Sequence, residues 1–280
     1  MHDILVAVIM GIVEGLTEFL PVSSTGHLIF TGKLLEFTGD KAKAFMVIIQ
    51  LGAILAVVWL YKEKFLYFLK VEPLIKRIKN TFLGSKEQVK GLTLIEIIAG
   101  MIPAVILGFF LRDIIKSFGF ENEISIAIAL IVGGILLIIV EKAHIKTIVK
   151  DVDDVTVKQA FEIGLMQCLS LWPGFSRAGA TISGGVFFGL DRKAAAEFSF
   201  ILAVPIMFAA STLEILDIIG AKIAFTTNDI IQLAVGFIVS FIVAYLAIVY
   251  FVKLLSKVSF IPFAVYRMIL GTVALLVILL

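Results

Sequence analysis

The sequence predicts an all-α, polytopic membrane protein with six full transmembrane helices and two re-entrant helix pairs in an inverted-topology repeat. Its 280 residues are 60% hydrophobic and only 16% charged, with a mean hydropathy of +1.10, whereas soluble domains carry about 25% charged residues. Two of its apolar stretches are interrupted by proline and polar side chains. In addition, the two halves of the chain carry similar patterns in the same order.

Six apolar runs are long enough to cross a hydrocarbon core, for which about 20 residues are needed. They extend over Ala44–Tyr61, Leu92–Leu111, Ile124–Val140, Ala194–Leu216, Ile230–Phe251 and Phe263–Leu280. Most of them are bounded by charged residues, proline or glycine. We therefore expect each run to form one transmembrane helix.

Two further apolar stretches are too interrupted to cross the membrane as single helices. Ile4–Leu35 is broken at Pro21, and Val157–Leu190 is broken at Pro173. Each half is too short to span alone, and each break is polar. Non-helical backbone at membrane depth is tolerated only where protein or a water-filled cavity surrounds it, so we predict two re-entrant helix pairs.

These two stretches also resemble each other. The pattern from Gly11 to Phe19 matches the pattern from Gly164 to Trp172, and each is followed by proline and then by serine three residues later. We therefore expect a single integral membrane domain over residues 1–280, with repeat halves of about 1–145 and 155–280.

The distribution of lysine and arginine predicts the orientation. The loop 62–90 is the most basic part of the chain, so the positive-inside rule places it in the cytoplasm. Its basic residues are Lys62, Lys64, Lys70, Lys76, Arg77, Lys79, Lys86 and Lys90. Only Lys33, Lys41, Lys43, Arg112, Lys116 and Lys222 then fall outside. The first re-entrant pair must enter from outside and the second from inside, so the breaks should meet near the midplane, as in inverted repeats.

Composition limits the partners of the protein. A formal net charge of +2 predicts no nucleic-acid partner, and the single cysteine, Cys168, excludes an internal disulfide and any multi-cysteine metal cluster. The first residues lack the basic region and cleavage site of a signal peptide, so we expect the first apolar segment to be retained. We expect the protein to be surrounded by membrane lipid. The sequence leaves both a monomer and a homodimer open.

The first break, EGLTEFLPVSSTGH from Glu14 to His27, contains two carboxylates at bilayer depth, where charged groups are functional candidates by default. Glu14 and Glu18 are four residues apart and share a helix face, about 40° apart around the axis. Two adjacent carboxylates in a low-dielectric site share a proton or bind a cation. Oxygen ligands favour Mg²⁺ or Ca²⁺. The alternative is a structural hydrogen bond or snorkelling to the interface.

After Pro21 the first break continues with hydroxyl residues. Ser23, Ser24 and Thr25 are good N-cap residues for the returning half-helix, whose N-terminus is an anion site. Capping alone is the alternative role for each of them. His27 falls in the first turn of the same helix, close to the hydroxyls and carboxylates. It is therefore a candidate catalytic residue, with a satisfied structural histidine as the alternative.

The second break, PGFSRAGAT from Pro173 to Thr181, supplies the opposite charge. The planar fork of Arg177 suits bidentate contact with phosphate oxygens, and Ser176 and Thr181 flank it as candidate substrate-binding residues. A salt bridge from Arg177 to Glu14 or Glu18 is the structural alternative. A phosphorylated lipid would place its head at this site and leave its tail in the bilayer. Arg267 and Glu96 have no motif around them and receive no predicted role.

Both breaks resemble the two signatures of the undecaprenyl-diphosphatase family of the bacitracin-resistance type. The similarity extends to 45–52, 100–104 and 259–263, and one departure is Ala178, where the family often has serine. The resemblance implies hydrolysis of undecaprenyl diphosphate to undecaprenyl phosphate and phosphate, which recycles the lipid carrier of peptidoglycan synthesis. It also implies a divalent cation and a site reached from the outer side of the bacterial plasma membrane. The family roles fall on Glu14, Glu18, His27, Ser176, Arg177 and Thr181.

The expected chemistry leaves the nucleophile open. Arg177, Ser176, Thr181 and the half-helix amides would hold the diphosphate, and a cation would bridge it to the two glutamates. Ser24, His27 or a water would attack the terminal phosphorus, with His27 or Glu18 handling the proton. A lipid-phosphate carrier is the rival interpretation, because inverted repeats with midplane charges are also typical of transporters.

Overall fold

The computed structural model describes residues 2–85, 87, 89, 91–111, 114, 122–255 and 257–280, and in these ranges the chain is helical. No strand occurs within them, and a single isolated bridge pairs Val149 with Leu190. The all-α prediction is therefore confirmed. Four of the basic residues counted for the orientation, Lys86, Lys90, Arg112 and Lys116, lie outside the described residues.

The helices follow the predicted order. They are α1 (His2–Thr17), α2 (Ser24–Leu34), α3 (Asp40–Leu60), α4 (Lys62–Phe68), α5 (Val71–Leu83), α6 (Leu94–Phe110), α7 (Glu123–Lys142), α8 (Val157–Gln167), α9 (Arg177–Phe187), α10 (Arg192–Gly220), α11 (Thr227–Leu255) and α12 (Ile261–Leu279).

Five of these helices are long and apolar enough to cross a membrane: α3, α7, α10, α11 and α12. They coincide with five of the six predicted spans, and the protein is a multi-pass membrane protein. The sixth predicted span corresponds to α6, whose 17 described residues are apolar but shorter than a full crossing. A helix of that length extends about 26 Å, so the count of six full spans stays a prediction.

Both predicted breaks are present. α1 ends at Thr17 and α2 begins at Ser24, with Pro21 in the turn between them; α8 ends at Gln167 and is followed by a 3-10 turn, Pro173 and α9. With 11 to 16 residues each, these helices extend only about 17–24 Å. The breaks are confirmed, whereas insertion as re-entrant pairs stays a prediction.

Glycine contacts hold the broken helices against helices of the other half. A Cβ on Gly11 would lie 2.8 Å from the carbonyl oxygen of Gly236, which brings the backbones of α1 and α11 together. A Cβ on Gly164 would lie 2.4 Å from the carbonyl oxygen of Gly100, and so α8 lies equally close to α6. Small residues allow such approach between membrane helices. The first helix of each half is thus fixed by the other half.

The basic loop 62–90 contains two helices that we did not predict. α4 follows α3 directly, and α5 lies beyond it. Arg77 of α5 forms an ion pair with Glu96 of α6, with Nε 2.8 Å from Oε1. Glu96 also accepts from the backbone N–H and hydroxyl of Thr93, which completes a capping box at the start of α6. Thus Glu96, which had no predicted role, joins α5 to the beginning of α6.

Candidate active site

The two breaks meet in the folded chain. Arg177 Nη2 donates to Glu18 Oε1 at 3.1 Å across 159 residues of sequence. The guanidinium also lies over the ring of Phe19, 5.6 Å from its centroid. The two charged islands predicted to converge are therefore in direct contact, and the ion pair with Glu18 exists alongside any role of Arg177 in binding phosphate.

Glu18 also contacts the candidate nucleophile, because Ser24 Oγ donates a hydrogen bond to Glu18 Oε2. The carboxylate is 6% exposed and holds the arginine with one oxygen and the serine with the other. A carboxylate that already accepts the hydroxyl proton in a hydrogen bond is placed to remove it. Since Glu18 lies just beyond α1, the turn containing Pro21 brings Ser24 back toward it.

Glu14 is a buried carboxyl group close to Glu18. The residue is 1% exposed, and neither carboxylate oxygen has a hydrogen-bond partner among the residues that the structure describes. A buried polar group without a partner costs about 1–3 kcal/mol, and more if it is charged. An acidic residue at this position is expected to bind either a proton or a hard cation such as Mg²⁺ or Ca²⁺.

The described residues contain no group of three or more His, Cys, Asp or Glu side chains arranged to hold a metal. A cation at Glu14 and Glu18 would therefore rely on oxygens from elsewhere, and phosphate and water supply them. Mg²⁺ is commonly bound in this way, by one or two carboxylates together with substrate phosphates. The donor set fits a cation that binds together with the substrate.

Ser23 and Ser176 cap the two returning helices in the same geometry. Ser23 has φ 73° and its Oγ accepts from the N–H of Gly26; Ser176 has φ 78° and its Oγ accepts from the N–H of Gly179. Positive φ is uncommon outside glycine and is often found at functional sites. Among the three hydroxyl residues expected to cap α2, Ser23 does so, while Thr25 lies half-buried in the first turn.

His27 is held at both ring nitrogens. Nδ1 lies 2.7 Å from the carbonyl oxygen of Ser23, and Nε2 lies 2.7 Å from the hydroxyl of Tyr266. Because a carbonyl only accepts, Nδ1 carries the proton, and Nε2 of the neutral ring accepts from the tyrosine. The two rings are also stacked at 5.6 Å. Tyr266 was missed from the sequence because it lies 239 residues away.

Thr181 and Ser199 support Arg177 from behind. Arg177 Nη1 donates to the backbone oxygen of Ser199 at 2.9 Å and to its hydroxyl at 3.2 Å. Thr181 is buried, and its hydroxyl contacts Ser199 Oγ at 2.6 Å and donates to the Arg177 carbonyl at 2.9 Å. Thus Thr181 orients the arginine, whereas direct contact of Thr181 with substrate stays a prediction. Ser199 carried no sequence signal.

The similarity of this chain to known proteins covers both halves of the site. The family described as bacitracin resistance protein BacA matches residues 7–273 of the 280. The chain belongs to the BacA family. Members are undecaprenyl pyrophosphate phosphatases, so membership implies phosphatase activity and bacitracin resistance, and it confirms the resemblance drawn from the two motifs.

The BacA match includes Arg267, a residue that sequence analysis left without a role. Arg267 is fully buried in α12, and its hydrogen bonds to the described residues all go to backbone carbonyls. Its partners are Leu130 (2.9 Å), Ala129 (3.4 Å), Pro21 (3.3 Å), Gly174 (3.1 Å) and Phe175 (2.6 Å). One side chain therefore joins the first break, the second break and α7. A charge within an apolar span was the available signal.

Substitution of Arg267 by lysine should reduce both stability and activity of this BacA protein. A lysine ammonium has three donors and no planar fork, so carbonyls of the two breaks would lose their partners, at about 1–3 kcal/mol for each. We expect thermal unfolding in detergent at a clearly lower temperature and a lower kcat. Arg192→Lys, a half-exposed arginine paired with Glu141, is the control. Equal unfolding temperatures for Arg267→Lys and Arg192→Lys would contradict the role given to Arg267.

Tyr266→Phe should slow the reaction without weakening substrate binding. The substitution keeps the ring stacked on His27 and removes only the hydroxyl that donates to Nε2. We expect kcat to fall about tenfold, the effect of one hydrogen bond of roughly 1.4 kcal/mol, with KM unchanged. Tyr250→Phe, at an exposed tyrosine of α11, is the control. A raised KM with unchanged kcat would instead indicate that Tyr266 contacts the substrate.

Proposed function

We propose that the protein hydrolyses undecaprenyl diphosphate to undecaprenyl phosphate and inorganic phosphate, and that it thereby recycles the lipid carrier of peptidoglycan synthesis. The contacts Arg177–Glu18–Ser24 carry this proposal. They bring together a cation for phosphate, a base and a hydroxyl, which are the groups that phosphoryl transfer to a side chain needs. The site is formed by apolar helices, so a lipid tail can remain in the bilayer while its diphosphate binds.

We assign diphosphate binding to Arg177 and to the first-turn amides of α2 and α9. Arg177 Nε is buried and has no hydrogen-bond partner among the described residues. A phosphate oxygen can therefore accept a hydrogen bond from this N–H. Helix N-termini favour anions because their free N–H groups and dipole point at the ligand. Ser23 and Ser176 hold those two turns, and Thr25 and Thr181 complete the predicted substrate-binding set.

We assign the nucleophile to Ser24 and the base to Glu18. The Ser24 oxygen attacks the terminal phosphorus, its proton passes to Glu18, and undecaprenyl phosphate leaves. Water then hydrolyses the phosphoserine, which releases phosphate and restores the hydroxyl. Nε2 of His27 is hydrogen-bonded to Tyr266 and not to Ser24. We therefore propose that His27 transfers a proton to or from the phosphate or the leaving group.

The proposal includes a divalent cation, Mg²⁺ or Ca²⁺, held by Glu14 and Glu18. The unpartnered oxygens of Glu14 support it, and the cation would neutralise charge on the phosphate oxygens when bound. Without the cation, a proton on Glu14 would remove the repulsion between the two carboxyl groups and leave Glu18 charged for its ion pair with Arg177. All of these side chains belong to one chain, so the proposed reaction requires no homodimer.

We also propose that α6 is the sixth span, that α1–α2 and α8–α9 are re-entrant pairs, and that the site opens to the outer side of the bacterial plasma membrane. The reciprocal glycine contacts of α1 with α11 and of α8 with α6 support an inverted repeat. The matching caps at Ser23 and Ser176 support it as well. Placement of the basic segment 62–79 in the cytoplasm then gives the orientation.

Arg177→Ala should remove phosphate release by the purified protein. Oriented charge on a transferring phosphoryl group contributes about 100- to 1000-fold in rate, and the alanine also releases Glu18. The measurement is phosphate release from a lipid diphosphate in detergent without a gradient, conditions in which a carrier without hydrolase activity releases none. Arg192→Ala is the control. An Arg177→Lys variant with near wild-type rate would contradict the role given to the guanidinium, since lysine offers a point charge and lacks the Nε–H assigned to phosphate.

Ser24 should carry phosphate transiently. Rapid quenching of the reaction with substrate labelled in the terminal phosphate, followed by peptide mapping, should place the label on the peptide that contains Ser24. Ser24→Ala should yield no labelled protein, whereas Ser23→Ala keeps Ser24 and should still be labelled. Label on His27, or turnover in Ser24→Ala at the wild-type rate, would contradict the serine nucleophile and leave histidine or water in its place.

Chelation should remove activity, and added Mg²⁺ or Ca²⁺ should restore it. Glu18→Gln should weaken metal activation strongly, because an amide keeps an acceptor oxygen but loses the charge that favours a hard cation. Glu14→Gln should have the same effect to a smaller degree, since Gln167 occupies the matching position of the second repeat. Glu197→Gln, a carboxylate of α10 outside the site, is the control. A wild-type enzyme that is insensitive to chelators would rule out the cation and leave general acid/base work as the role of the pair.

A further inference from the structure

The helix α5 carries an apolar stripe that no other element covers within the described residues. Val71, Ile75 and Ile78 follow one another at i, i+4 and i+7 and are 64%, 46% and 41% exposed. This spacing places them on one face of the helix. At 13 residues α5 is too short to cross a membrane, and its charged residues prevent it from lying within the hydrocarbon.

The contacts of this segment place it at the level of the lipid headgroups. α4 begins directly after α3, where Trp59 is exposed and lies 5.4 Å from the Lys62 ammonium. Tryptophan is enriched at the membrane–water interface. At the other end, Arg77 is paired with buried Glu96 in the first turn of α6. One end of the segment thus follows a membrane-crossing helix, and its far part is fixed to the start of the next apolar helix.

The segment is also strongly basic. Residues 62–79 contain six lysine or arginine residues against two glutamates. Lys70 and Lys76 line a cleft of about 550 Å³ together with Tyr67 and Val71. Lys76 pairs with Glu72 at 2.7 Å, and Lys79 lies 3.7 Å from Glu87. Exposed ion pairs of this kind are weak, so both ammonium groups remain available to a stronger anionic partner.

We propose that α4 and α5 lie in the plane of the membrane surface and bind anionic phospholipid headgroups. The stripe of Val71, Ile75 and Ile78 enters the boundary between headgroups and acyl chains, and Lys70, Lys76 and Lys79 contact the lipid phosphates. An amphipathic helix with lysines beside its apolar face is typical of such binding. This lipid site is separate from the Arg177 site and does not rest on the proposed hydrolysis.

The depth of the stripe can be measured with a fluorescent probe on single cysteines. In the full chain with Cys168→Ser, Ile78→Cys and Glu72→Cys would be labelled with an environment-sensitive dye and reconstituted into vesicles. The Ile78 probe should shift to the blue and be quenched by spin-labelled lipid. The Glu72 probe, on an exposed side chain of the same helix, should remain in water. A water-exposed Ile78 probe would overturn the proposal and leave the stripe as a surface for a soluble protein.

The lipid charge can be tested separately. The Ile78 probe should be quenched more strongly in vesicles of equal parts phosphatidylcholine and phosphatidylglycerol than in phosphatidylcholine alone. Joint substitution of Lys70, Lys76 and Lys79 by glutamine should abolish this difference, since each lysine near an anionic surface contributes about a fivefold change in binding. The control replaces three exposed lysines elsewhere, Lys158, Lys222 and Lys257, by glutamine.

Three outcomes of this second test are informative. Loss of the difference only in the Lys70/Lys76/Lys79 variant supports the proposal. Loss in both triple variants would show an effect of net charge and overturn the assignment to α5. Retention in both would overturn the role of these lysines. If wild-type protein showed quenching of the Ile78 probe only at high protein-to-lipid ratio, contact between two copies of the chain would replace lipid as the explanation.

Discussion

The carbonyl contacts of Arg267 are the interaction on which the rest of the structure depends. No carboxylate in the described part of the chain pairs with this buried guanidinium, and backbone oxygens from three segments accept its hydrogen bonds instead. Two of those segments are the breaks that carry Glu18 and Arg177. Broken helices expose carbonyls that a continuous helix would pair internally, and one arginine supplies donors to both breaks at once. Because Arg267 binds both breaks, Glu18 and Arg177 lie close enough to form their ion pair.

Much of the fold was predictable because bilayer depth leaves few alternatives. Proline and polar residues around Pro21 and Pro173 cannot continue an apolar helix, and Glu18 and Arg177 could be expected to meet because each would be costly alone. The partners of Arg267 could not be found in this way, since backbone carbonyls leave no trace in the sequence. Tyr266 and Ser199 act across long stretches of chain without local pattern. The helix α5 was missed because its charge is typical of a loop, although the spacing of Val71, Ile75 and Ile78 indicated a helix.

The two halves have the same backbone conformation at their breaks but carry different side chains there. Ser23 and Ser176 adopt nearly the same positive φ and cap their helices through a glycine N–H three residues on. The next residue is Ser24 in one half and Arg177 in the other, and the fourth is His27 in one and Ala180 in the other. Matching capped turns thus carry a hydroxyl and imidazole on one side and a guanidinium on the other. In the proposed reaction, the two phosphates of the lipid diphosphate would therefore have different surroundings.

The length of chain between Pro21 and Arg267 has a consequence for biosynthesis. The carbonyl of Pro21 accepts a hydrogen bond from Arg267, 246 positions later in the chain. Glu18 pairs with Arg177, 159 positions later. Chains are made from the N-terminus at about 5–20 residues per second, so the first break leaves the ribosome well before either arginine. During that interval its carboxylates and carbonyls depend on water or on the insertion machinery. The candidate active site is therefore completed late in translation, after most of the surrounding helices have been made.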